Sequence, residues 1–379
     1  MTGHAGIDGG IRLPDAPEAP GGPSLHDALA LLGELGLREA STLAATGGGG
    51  IALRLEPSCR EAWMPGFDTL NLSRVARCPT LDADRQLQRE ALIAMLGSPV
   101  SIEVPSVAEL RSALRLRQRT AQAAERTALR FHTTGLERPV DDWTYDEDRG
   151  FRLRPGRDLI PALRRATQPA AAGPLYAFSC YRATEYVLLL ALAEELADVN
   201  PRLLEALQER WTQHPIASGR FHDVFLRESG STDCPLPDRF YIPGDRVWFR
   251  NPDDASSDAS GYEGSWTFYL GGGRFANLWK RDLPFTLESK CLEIYHWRHA
   301  TFVDPAGHLR VDETKVEGHV RNTLRDPHAV ASVLQRMLRL RDPRGVYAQG
   351  GCLDRTRECL RWVHPATSDL SLPPLAVTA

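Results

Sequence analysis

Residues 173–192 read GPLYAFSCYRATEYVLLLAL, and this stretch decides how the rest of the chain is organised. Gly173 and Pro174 end what precedes it, and the apolar run after Tyr181 predicts a buried helix. Cys180 then falls in the first turn of that helix, where unsatisfied backbone N–H groups and the positive end of the dipole favour thiolate over thiol. A nucleophilic cysteine uses this placement. A buried, inert cysteine in an apolar helix fits the same position.

Upstream, residues 1–24 are rich in Gly, Pro, Ala and Asp, with only Ile7 and Ile11 as large aliphatics before Leu13. They read as a disordered tail that could be removed without loss of stability. Ser24 caps a short amphipathic helix, SLHDALALLGELGLREAST. The glycines at 47–50 precede the strand-like IALRLE rather than a helix, which excludes a phosphate-cradling loop. Residues 82–96 predict a second helix, stopped by Gly97 and Pro99. Ser106 caps a third, with Glu109 placed for a capping box and a core stripe of Val107, Leu110, Leu114 and Ala121.

Downstream the pattern changes. After a strand at FRLRP and a helix from Asp158 come short β-rich runs: RFYI, RVWF, WTFYL, RFANLW, CLEIYHW, ATFV and HLRV. Turn signals PGD, NPDD, GGG and DPAG separate them. A helix at 327–340 follows, and the chain beyond Pro365 reads as unstructured. Helices followed by an antiparallel sheet define an α+β fold.

The chain has 379 residues, 42% hydrophobic and 25% charged, with a net charge of −4. This composition points to no nucleic-acid or membrane surface. The longest apolar run, 186–193, is too short to span a bilayer, and no signal peptide is visible, so a cytoplasmic location is expected. Seven scattered cysteines suit free thiols in a reducing compartment. Cys352, Cys359 and His364, or Cys291, His296 and His299, are spaced too loosely for a clear zinc site, and no metal or cofactor is expected.

Four segments resemble, in order, the small spore-coat-type bacterial protein-glutamine γ-glutamyltransferases, over roughly 200 residues. SPVSIEVPSVAELRSALRLRQRTAQAA (98–124) is similar to the family's opening helix. GPLYAFSCYRATEYVLLLAL is similar to the segment holding its catalytic cysteine. FYIPGDRVWFRNPD (240–253) is close to its strand ending in an F-(K/R)-N-P turn, and YEGSWTFYLGGGRFAN (262–277) resembles its site hairpin. The resemblance implies a papain-like core over 81–345, an N-terminal extension over 25–80 and a C-terminal extension and tail over 346–379. It also implies a Cys180 thioester formed on glutamine carboxamides, crosslinking to lysine amines, and therefore protein substrates bearing glutamine and lysine.

The sequence departs from that family at the site. The family's glutamate aligns with Ser265 and its histidine with Asn277, which cannot accept a proton at pH 7. No histidine lies between His222 and His296. His296 and His299, read on a strand, point to opposite faces, and His296 is the nearest replacement base. The departure keeps two alternatives open: a non-catalytic scaffold that binds a partner, and a thiol amidase or hydrolase.

Overall fold

The computed structural model describes residues 9–14, 25–46, 49–170, 173–342 and 350–374, and its architecture is α+β. The apolar text after Cys180 forms the helix Cys180–Val199, whose middle, from Ala183 to Ala193, is buried without a break. Being apolar on all sides, it needs neighbours on all sides. Val107–Arg126 and Leu159–Thr167 supply Leu116, Ala124, Leu163 and Ala166, while the strand Gly264–Gly271 supplies Phe268 and Leu270. That strand belongs to a five-stranded antiparallel sheet, ordered Arg274–Phe275, Gly264–Gly271, Arg246–Arg250, Arg357–Leu360, Leu226–Ser229. The opposite face is covered by Leu287–Trp297 and Pro327–Met337, through Leu292, Val333 and Met337. Among the described residues, no helix is long and apolar enough to cross a membrane.

Both termini correct the sequence reading. Residues Gly10–Leu13, expected in a disordered tail, form a strand between Ile51–Leu55 and Ser101–Glu103, with Ile11 and Leu13 buried. Two side chains of a four-residue strand reach the core because a sheet buries alternate residues whatever the polarity of the flanks. Residues 1–8 and 15–24, including the Ser24 cap, lie outside the described residues. At the other end, Arg357–Leu360 is an inner strand of the main sheet. Around and beyond Pro365 the chain docks: Glu109 accepts from the Val363 and His364 N–H groups just before it and from the Thr367 hydroxyl after it, at 2.7–3.0 Å, and Leu370 is buried. Glu109 therefore spends its carboxylate on the C-terminal segment rather than on a capping box, although Ser106 caps the helix as expected.

The run CLEIYHW, read as a strand, lies in the helix Leu287–Trp297. Its start signal is Thr286, whose hydroxyl and N–H exchange hydrogen bonds with Ser289 in a capping box. RFYI forms no strand, whereas RVWF and WTFYL do.

Candidate functional site

Ser179 N-caps the helix, its hydroxyl accepting from Arg182 N–H, and Cys180 is the first helical residue. The backbone N–H groups of Trp266 and Tyr181 face the Cys180 sulfur, and Lys290 and Glu263 lie within electrostatic reach of it. The two N–H groups and Lys290 favour the thiolate, and Glu263 opposes it. Burial of the sulfur outweighs the favourable set and pushes the thiol above its ordinary value. The helix position alone predicted the reverse. The structure corrects that expectation, because the dipole contributes a few tenths to about 1 kcal/mol and desolvating an anion costs more.

Cys78 shows the opposite balance, since the Thr80 hydroxyl beside it draws its thiol down. Cys352 and Cys359 are pushed up by burial. Iodoacetamide labelling of folded protein at pH 7 is therefore expected to modify Cys78 before Cys180. Raising the pH above 9 should accelerate Cys180 more than Cys78. Peptide mapping of a labelling time course reads both, and Cys180 labelling first at pH 7 would contradict the burial argument.

The residues around the thiol form an aromatic and basic frame. Tyr181 meets Trp266 edge-to-face at 6.0 Å, and Trp266 packs on Trp248 at 4.8 Å. The Arg246 guanidinium lies over both the Trp266 and Tyr181 rings, 3.9 and 4.6 Å from their centroids. It donates to Thr184 Oγ1 at 2.9 Å and to Glu358 Oε2 at 2.8 Å. Sequence reading missed Trp266, Arg246, Lys290 and Glu263. Only Glu263 and Trp266, flanking Gly264 and Ser265 in YEGSW, carried a local signal.

Of the other expected site residues, Ser265 is buried on the strand Gly264–Gly271, opposite Phe249. Strand alternation turns its side chain to the face opposite that of Trp266. Asn277 is occupied by its own loop: Nδ2 donates to Leu283 O at 3.0 Å, and Oδ1 accepts from Lys280 N–H at 3.1 Å and Trp279 N–H at 3.3 Å. Replacing it by alanine removes the side-chain partners of Leu283 O and Trp279 N–H, while Lys280 N–H keeps the Asn277 backbone carbonyl at 3.2 Å. Asn277→Ala is expected to cost about 1–3 kcal/mol in urea unfolding.

His296 is corrected most. On a helix, positions three apart share a face, and His296 Nδ1 lies 3.0 Å from His299 Nδ1. Its Nε2 is 2.7 Å from Thr323 Oγ1, and its ring stacks on His319 at 5.6 Å. Both ring nitrogens are thus engaged away from Cys180. Burial, with His299 and His319 alongside, holds His296 down to about 4, so it is neutral at pH 7. Among the described residues, no group of three or more His, Cys, Asp or Glu is arranged to hold a metal ion.

The protein-glutamine gamma-glutamyltransferase family model matches residues 73–349. This chain belongs to that family. A protein-glutamine gamma-glutamyltransferase of Bacillus licheniformis is 24% identical over 177 residues, 44% of this chain and 64% of the relative, so the match spans under two thirds of that relative's length. Among solved structures, a transglutaminase from Geobacillus stearothermophilus (without C-terminal extension) aligns with a TM-score of 0.38 at 20% identity, covering 56% of this chain and 96% of the other.

Proposed function

We propose that the protein is a slow acyltransferase working through Cys180. The sulfur attacks the side-chain carboxamide carbon of a protein-bound glutamine, ammonia leaves, and a thioester remains. A lysine amine of a second protein attacks the thioester, the sulfur leaves, and an isopeptide bond joins the two. The observation that carries this reading is the pair of Trp266 and Tyr181 N–H groups facing the Cys180 sulfur. Donors beside the nucleophile are placed to serve the oxyanion of a tetrahedral intermediate.

The weak element is proton transfer. Asn277 takes no proton, and His296 is spent on His299 and Thr323. Losing general acid–base catalysis lowers a rate by about 10²- to 10⁴-fold. Incorporation of a fluorescent amine into a glutamine-bearing protein is therefore expected to be slow, faster at pH 9 than at pH 7, and absent in Cys180→Ala. Incorporation that survives in Cys180→Ala would sink the assignment. His296→Ala and His299→Ala are expected to leave the rate unchanged, because neither side chain serves the thiol.

A second reading, a scaffold that keeps the fold and binds a partner, is favoured by one observation: Asn277 is used up in holding its own loop. Wild-type protein with an alkylatable Cys180 and no amine incorporation at any pH would select it. Ammonia release without amine incorporation would instead mark a thiol amidase.

A further inference from the structure

Arg246 and Trp248 share one face of the five-stranded sheet, and the register sets Phe268 opposite Arg246 and Trp266 opposite Trp248. The Arg246 guanidinium is almost completely buried, 1% exposed. Its Nε and Nη1 are bound to Thr184 and Glu358, but Nη2 is buried without a partner. An unmet donor on a buried charged group is expensive, and an acceptor arriving from outside would recover the loss.

The room for one is present. Arg246, Trp248, Arg250, Trp266, Arg341 and Glu358 line a cavity of about 230 Å³. The carboxylates that border it are already committed or solvated. Asp354 is held by Arg341 at 3.0 Å, and Glu228 is exposed. Glu358 is divided between Arg246 and His222, whose Nε2 lies 3.4 Å from Oε1. Among the described residues no carboxylate is bound to Nη2, while Trp248 and Trp266 offer flat apolar walls.

We propose that this cavity binds a small carboxylate carried on a flat, apolar body. The carboxylate accepts from Arg246 Nη2, in the charge-assisted pairing for which a guanidinium is shaped, and the body lies against Trp248 and Trp266. A neutral amide supplies an acceptor without the charge, and an amine is repelled. Trp266 connects the cavity to the thiol, since it lines the cavity and its backbone N–H lies beside Cys180. Binding there does not depend on the transfer chemistry, and it stands if Cys180 is inert.

The test is tryptophan fluorescence of the full chain at pH 7, titrated with benzoate, benzamide and benzylamine as probes. Benzoate is expected to give a saturable change, and benzamide to bind roughly ten- to hundredfold more weakly. Arg246→Lys should weaken benzoate by a similar factor, since a point charge on a flexible stem does not reproduce the planar fork. Trp248→Ala should abolish benzoate binding, read by titration calorimetry because the variant removes a fluorescent reporter. No saturable benzoate signal, equal binding of benzoate and benzamide, or unchanged benzoate binding in Trp248→Ala overturns the proposal. Where circular dichroism shows Arg246→Lys unfolded, the part-exposed Trp248 variant decides alone.

Discussion

Replacing Ile11 by alanine is expected to lower the free energy of unfolding by about 2–5 kcal/mol, a large share of the stability of an ordinary domain. Ile11 is fully buried, pairs with Leu53 on one side and Ile102 on the other, and packs in a cluster with Leu31, Leu32, Leu92 and Leu96. Its strand lies inside its sheet, so weakening it loosens two ladders at once. Ile11→Asp should leave little folded protein, because the carboxylate has no cation in that cluster and its burial is prohibitive. Urea unfolding of the alanine variant, read by circular dichroism, checks the magnitude. A midpoint equal to wild type would show that Gly10–Leu13 does not hold the N-terminal sheet.

Glu90→Gln is expected to stabilise the protein increasingly as pH rises, by on the order of 3 kcal/mol at pH 8. Burial pushes the Glu90 carboxyl up to about 7, although Gly272 N–H and the Tyr269 hydroxyl donate to it at 2.9 and 3.3 Å. A carboxyl whose folded value is raised contributes stability that is complete below its unfolded value near 4.5. That stability is lost as pH climbs through 7. Glutamine keeps an acceptor for Gly272 and never ionises, so it escapes the loss.

His296 slopes the other way. Held down to about 4, it contributes stability that is present above its unfolded value near 6.5 and disappears as pH falls through 4. The two groups oppose each other between about pH 4.5 and 6.5. The variant-minus-wild-type difference for Glu90→Gln should therefore be small at pH 4.5 and grow through neutrality. A difference that is flat with pH would show that Glu90 ionises freely in the fold.

Glu90 also bears on the site. It grips the turn of residues 271–273, where three successive glycines take positive φ. A Cβ at Gly271 would come within 2.8 Å of Leu87 Cδ1 and 3.1 Å of Glu90 Oε2. That turn belongs to the hairpin that carries Trp266 to the cysteine and Asn277 to its loop.

Local order in the chain was legible wherever a strong periodicity met a stop signal. The helices Ala83–Leu96, Val107–Arg126 and Cys180–Val199, and the strands Arg246–Arg250 and Gly264–Gly271, follow from spacing and caps alone. Cys180 at a helix N-terminus was readable for the same reason, whereas the significance of Asn277 came only from the family resemblance. The misreadings share a cause. CLEIYHW combines β-prone residues with a Thr286 cap that a pattern of two-residue alternation overlooks, and GIRL and RECL are too short to stand out from polar flanks. Such strands exist only because partners distant in sequence complete their ladders.

What the amino-acid order determines, then, is the set of helices and the place of the thiol at the head of one of them. The tertiary structure decides the character of that thiol. It buries the sulfur, turns the Trp266 N–H toward it, sets Arg246 over the neighbouring rings, and ties Asn277 and His296 into other bonds. Trp266 and Arg246 reach Cys180 and Tyr181 from far along the chain, whereas Asn277 is tied within its own loop and His296 to the nearby His299 and Thr323. Desolvation and hydrogen bonding act over a few ångströms of space, whatever the separation in sequence.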